Sequence, residues 1–273
     1  MRNTATAAAL ALALAVAMPS WAAFEELEVG VPLQAMGGTG VVGTGLASVL
    51  YNPAGLAWQT APSVVAGSRL PFTNMDFATH GLDGAMPLYG MTCGASLRYF
   101  GSDLYSEQVL ALTAATMLTD QMAFGLQPTI ARTDIADGVS SYGSATAVSW
   151  NMGFQVRVYP RWMLAASVRN PFQARLGESG DYLQRRLDGG IRYEPAEGLA
   201  SRFVVSQDFR GTRIMVGQSL PLGPVILRAG AVSDPASLTA GMTVEVSGML
   251  VDYGVQTHPK LDPSHQAGVR YAF

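Results

Sequence analysis

The chain has 273 residues, 49% of them hydrophobic and only 14% charged, with 17 Lys+Arg against 20 Asp+Glu for a net charge of −3. That balance offers no basic footprint for nucleic acid, and the single cysteine, Cys93, excludes an internal disulfide or a multi-cysteine metal site. The charged fraction lies well below the roughly 25% of soluble domains, yet the chain past its N-terminal signal has no run of about 18 apolar residues for a spanning helix, so apolar groups must be spread along strands.

Residues 1–22 read as a secretory signal peptide. Arg2 supplies the positive start, Ala7 to Met18 form an unbroken apolar run, Pro19 ends it, and Ser20-Trp21-Ala22 places small residues for cleavage after Ala22. Residues 23–61 follow as a glycine-rich segment. Gly38-Thr39-Gly40-Val41-Val42-Gly43 matches G-x-G-x-x-G, but no acidic residue occurs between Glu28 and Asp76, so the ribose-binding carboxylate of a dinucleotide site is missing. Glycines also let a backbone pass close to other backbone and turn tightly, so this stretch suits a compact hatch inside a barrel. Asn52-Pro53 within it is a turn initiator.

Three pieces of this segment together resemble a known family: Phe24-Glu25-Glu26-Leu27-Glu28-Val29-Gly30, Ala35-Met36-Gly37-Gly38-Thr39-Gly40, and Tyr51-Asn52-Pro53-Ala54-Gly55-Leu56-Ala57. They look like the opening of the PorV/PorQ group of the FadL superfamily of outer-membrane proteins. The resemblance implies a 14-stranded barrel whose N-terminal hatch holds the motif Asn52, Pro53, Ala54 and Gly55. It also implies either passage of hydrophobic compounds, as in FadL members, or docking of secreted cargo in type IX secretion, as in PorV. Two features depart from that pattern: Val31-Pro32-Leu33-Gln34 stands where the PorV group shows Ala-Arg, and the chain is short, so long extracellular loops are missing.

From residue 62 the chain alternates. Met91, Cys93, Ala95, Leu97 and Tyr99 oppose Thr92, Gly94, Ser96, Arg98 and Phe100, and Leu238, Ala240, Met242, Val244 and Val246 oppose Thr239, Gly241, Thr243, Glu245 and Ser247. Periodicity alone does not choose between a soluble sandwich and a membrane barrel; the signal, the low charge and the chain end favour the barrel. Fourteen strands are expected, over about 63–70, 75–86, 90–100, 106–116, 121–131, 142–158, 161–170, 183–193, 200–208, 212–220, 224–233, 236–246, 248–257 and 264–273, most near the ~9–11 residues of a tilted spanning strand. The strand at 106–116 is apolar on both faces and is placed to contact the hatch. An even count puts both ends in the periplasm, with Arg132–Ser141 and Pro171–Asp181 as outer loops. The last strand ends on Tyr271-Ala272-Phe273, which looks like the signal read by the barrel-assembly machinery.

His80, His258 and His265 show no metal spacing and no G-x-S-x-G elbow occurs, so neither catalytic nor metal residues, and no cofactor, are expected. The candidate lumen charges are Arg98, Arg192, Arg228, Glu245, Asp252 and Arg270. They either pair with one another and hydrate the wall or present a positive lumen to carboxylates, which the guanidinium fork suits. The reading is an all-β, 14-stranded antiparallel transmembrane β-barrel over 62–273 in the bacterial outer membrane. Its expected partners are membrane lipid, the assembly machinery, and a hydrophobic small molecule or secreted protein cargo.

Overall fold

A computed structural model describes residues 24, 28–102, 104–136, 141–177 and 182–273. The signal peptide expected over 1–22 lies outside the described residues. The described chain forms a closed barrel of fourteen antiparallel strands, in which each strand pairs with its sequence neighbours and the first pairs with the last. The strands are β1 (Ser63–Leu70), β2 (Thr79–Leu88), β3 (Met91–Gly101), β4 (Tyr105–Thr119), β5 (Met122–Ala136), β6 (Ser141–Tyr159) and β7 (Trp162–Arg169). The rest are β8 (Arg186–Ala196), β9 (Leu199–Asp208), β10 (Gly211–Leu222), β11 (Val225–Ser233), β12 (Ala236–Val246), β13 (Met249–Gln256) and β14 (Ser264–Ala272). The seam registers Ser63 with Ala272 and Leu70 with His265, and the Phe273 amide donates to the Pro62 carbonyl at 2.9 Å. Both ends of the barrel sequence therefore lie at one end of the cylinder, called the hatch end below; the other is the loop end.

The side-chain distribution is inverted relative to a soluble sandwich. On β3 and β4 the outward Leu97 and Leu112 are 50% and 54% exposed, while the inward Ser96 is 2% exposed. Inward Thr113, Gln127, Ser149, Gln155, Ser167, Ser206 and Thr243 are buried as well. An apolar exterior around a polar interior is the arrangement hydrocarbon surroundings demand, because each inward polar group finds its partners inside. Exposed aromatics flank this apolar band, with Tyr89, Tyr159, Trp162, Tyr271 and Phe273 at the hatch end and Phe77, Tyr142, Phe172 and Phe209 at the loop end.

Residues 28–59 lie inside the barrel, with Val29, Val31, Leu33, Met36, Val41, Val42, Leu46, Val49, Tyr51, Ala54 and Leu56 buried. The segment contains one α-turn, α1 (Val31–Gln34), and short 3-10 turns at Gly40–Val42, Leu46–Ser48 and Pro53–Trp58. Leu56 and Val49 pack on Ala115 of β4 and Ala85 of β2, so the strand that is apolar on both faces does meet the hatch. Val41 and Val42 pack on Ala165, Val204 and Met215.

Several boundaries differ from expectation, three of them in ways that bear on the site. Residues 75–78 are not strand: the Asn74 side chain accepts from the Asp76 amide at 3.0 Å and caps a 3-10 turn, Met75–Phe77. The stretch Arg132–Ser141 is not mainly loop, because β5 and β6 stay paired to Ala136 and Ser141. The β7–β8 connection does not simply face outward. Its Leu176 and Leu183 turn into the barrel and pack on Ala131 and Ala147, so 183–185 is lost from the expected strand.

Candidate functional site

The hatch is held by two features of the inner wall. The first is a set of polar side chains that satisfy its irregular backbone, as buried carbonyls and amides require. Gln155 Nε2 donates to the carbonyls of Val41 (2.9 Å) and Gly43 (2.7 Å), Gln127 Nε2 to Val49 (3.0 Å), Ser167 Oγ to Tyr51 (2.9 Å) and Thr239 Oγ1 to Ala35 (3.0 Å). The second is bare wall. A Cβ on Gly153 would sit 1.8 Å from Asn52 Oδ1, and one on Gly125 would sit 2.3 Å from the Pro53 carbonyl carbon. Gly125 and Gly153 are directly paired across β5 and β6, as Gly217 and Gly230 are across β10 and β11, where Met36 and Gly37 touch the wall.

The motif Asn52, Pro53, Ala54 and Gly55 sits at this contact. Asn52 is fully buried; its Oδ1 accepts from the Ala54 amide at 3.0 Å, while Nδ2 donates to Val41 O at 2.9 Å and faces Phe154 O and Ala166 O at 3.3 and 3.4 Å. Pro53 begins the 3-10 turn, where its missing N–H costs nothing. Gly55 leaves no room for a side chain beside Ser48 and the Gly43 carbonyl.

On the loop side of the hatch lies a cavity of about 140 Å³. Phe24, Leu50, Val109, Ala111, Ala131 and Leu183 form its apolar wall, and Gln127, Asn151, Asn170, Arg98, Arg169, Arg186 and Glu28 its polar side. The inturned β7–β8 connection roofs it, fixed by Asn170 Nδ2 donating to the Leu183 carbonyl at 2.6 Å and by the Ala174 amide donating to Asn170 Oδ1 at 2.9 Å. Arg98 is tied to Asp83 at 2.7 Å, with both side chains almost wholly buried.

Glu28 is the hatch's contribution to that polar side, ion-paired to Arg169 and, at 3.4 Å, to Arg186. Burial by itself would raise its carboxyl. The Arg169 and Arg186 charges and the Arg169 hydrogen bond outweigh that and hold it at about 2. Burial and the Glu28 charge push the Tyr51 phenol up. Glu28 and Arg186 also line a second, smaller cavity of about 60 Å³ with Tyr51, Arg69 and Arg213, so this ion pair stands between two voids.

The remaining lumen charges fall at the hatch end. Arg192 pairs with Glu194 at 2.9 Å and donates to Thr44 Oγ1 at 3.3 Å. Arg228 donates to Thr243, which donates to Asp252, and Asp252 lies 3.4 Å from Arg270. Glu245 is exposed at the mouth. Glu28 and Asp83 were missed by reading charges on alternating strands, yet Glu28 carried a signal: it is the last acid before a long charge-free stretch.

No family model matches the chain, and no curated protein matches its sequence. Solved structures do resemble it. CymD, a monoaromatic hydrocarbon channel, superposes with a TM-score of 0.72 at 13% identity, over 92% of this chain and 99% of that one. The Ralstonia pickettii toluene transporter TbuX gives 0.67 at 12% identity over 89% and 98%, and the P. putida toluene transporter TodX 0.66 at 12% over 88% and 97%. The chain has the fold of these channels.

Proposed function

We propose that this protein is an outer-membrane channel of the FadL superfamily that passes small hydrophobic or amphipathic compounds. The observation that carries the reading is the cavity above the hatch. Its volume of about 140 Å³ is close to that of an engineered apolar cavity of ~150 Å³ that takes benzene. One wall is apolar, and the facing side offers guanidinium and amide donors that would orient a polar substituent. The fold neighbours, described as a monoaromatic hydrocarbon channel and toluene transporters, support a ligand of this size class. The apolar exterior with aromatic flanks supports residence in lipid.

The test is uptake of labelled toluene by cells carrying the parent or variants with the cavity filled. Ala111→Trp and Ala131→Trp point large rings into the void and are expected to cut uptake at least tenfold, while gel migration with and without boiling reports that the barrel still folds. Unchanged uptake in folded variants would remove the cavity from the route and leave cargo docking as the better reading.

A further inference from the structure

Two residues towards the hatch end from the wall positions that carry the hatch, the inner face changes character. Past Gly190, Val204, Gly230 and Gly268 come Arg192, Arg202, Arg228 and Arg270, all on inward positions of their strands. Arg192 and Arg202 are direct cross-strand partners on β8 and β9. Like charges in that relation repel each other, so the pairing needs a reason.

Arg202 is the member without an account. Its Nε and Nη1 are buried and make no hydrogen bond among the described residues. The charges acting on it are those of Arg192 and Arg228, which repel it, and Glu194, which attracts it. Glu194 is already committed to Arg192 at 2.9 Å, and Arg228 leans away to Thr243. Two shielded guanidinium nitrogens with no acceptor are costly in a folded protein, and a charged N–H donor binds an anionic oxygen strongly.

We infer that Arg192, Arg202 and Arg228 form an oxyanion-binding site at the hatch end of the lumen, distinct from the apolar cavity across the hatch. Its ligand is a carboxylate or phosphate, one oxygen of which accepts from an unpartnered N–H of Arg202 while the others reach its two cationic neighbours. The site lies on strand positions nearer the hatch end than Val204 and Gly230. It stands whether or not hydrocarbons pass above the hatch.

The test uses the full barrel refolded in neutral detergent and titrated calorimetrically with inorganic phosphate and, separately, with benzoate, against chloride at matched ionic strength. At least one of the two is expected to bind saturably, one per barrel, and to raise the unfolding temperature. Arg202→Gln should weaken that binding at least tenfold, yet unfold no earlier than the parent in chloride, because it removes an unpaired charge. Arg132→Gln, exposed at the loop end, should leave binding unchanged. Phosphate discriminates a site for an inorganic ion, and benzoate one for an organic acid. No saturable binding of either by the parent would overturn the proposal without recourse to a variant, as would equal affinities of the parent and Arg202→Gln.

Discussion

At Gly153 one methyl group decides whether the hatch can seat. The added carbon would meet Asn52 Oδ1 at 1.8 Å, and Asn52 cannot retreat, because its amide is bonded to three separate segments: Val41 within the hatch and Phe154 and Ala166 on the wall. Gly189 is the matched control, since a Cβ there meets nothing within 4 Å. Overpacking of a tight contact costs about 1–3 kcal/mol. Gly153→Ala is therefore expected to lower the urea midpoint of the refolded barrel and to expose the hatch to protease, and Gly189→Ala to do neither. Equal behaviour of the two variants would mean that the hatch is not pressed on this wall.

Among the elements, the strands were legible and the connections were not. Period-two alternation is a local property, so which residues of β3, β12 or β14 share a face follows from neighbouring residues alone, and the low charge then turns the polar face inward. Thr239 and Thr243 are inward as expected, but Thr239 is bonded to the hatch and Thr243 to Asp252 and Arg228. Nothing local announces these contacts; the Thr239–Ala35 bond spans 204 positions. The glycines of the wall were equally mute, because a missing side chain looks the same whether it admits a turn or another chain. Leu176 read as part of an outer loop and Leu183 as the start of a strand for a similar reason: their burial depends on Ala131 and Ala147, small residues far away in sequence. For the lipid-facing set the sequence suffices. Met242→Arg on β12 places a charge on the outer face, where the cost near the bilayer centre is about 2–4 kcal/mol. It should reduce the inserted fraction in liposomes well below that of Glu245→Arg, which lies on the inward parity of the same strand and is exposed at the mouth. Equal insertion would reverse the assigned faces.

For the molecule as a whole, the question is whether the hatch closes the lumen. Wall and hatch share hydrogen bonds from β5, β6, β7 and β12, yet the strands close on themselves without it through β1 and β14. A barrel lacking residues 35–57 should therefore still insert and show a larger conductance in planar bilayers than the parent. Parent-like conductance in an inserted deletion would instead make the glycine-rich segment a docking arm. The pairing of bare positions also fixes the shape such an emptied barrel would have. Where Gly125 faces Gly153, Gly217 faces Gly230, and Gly241 faces Gly254, the inner surface is naked backbone, so the pore has its waist elsewhere. The narrowing comes from the long side chains beside them, since Arg202 registers with Gly217 and Arg228 with Gly241; with Arg192 and Arg270 paired to Glu194 and Asp252, Arg202 and Arg228 would give current through the emptied barrel its preference for anions.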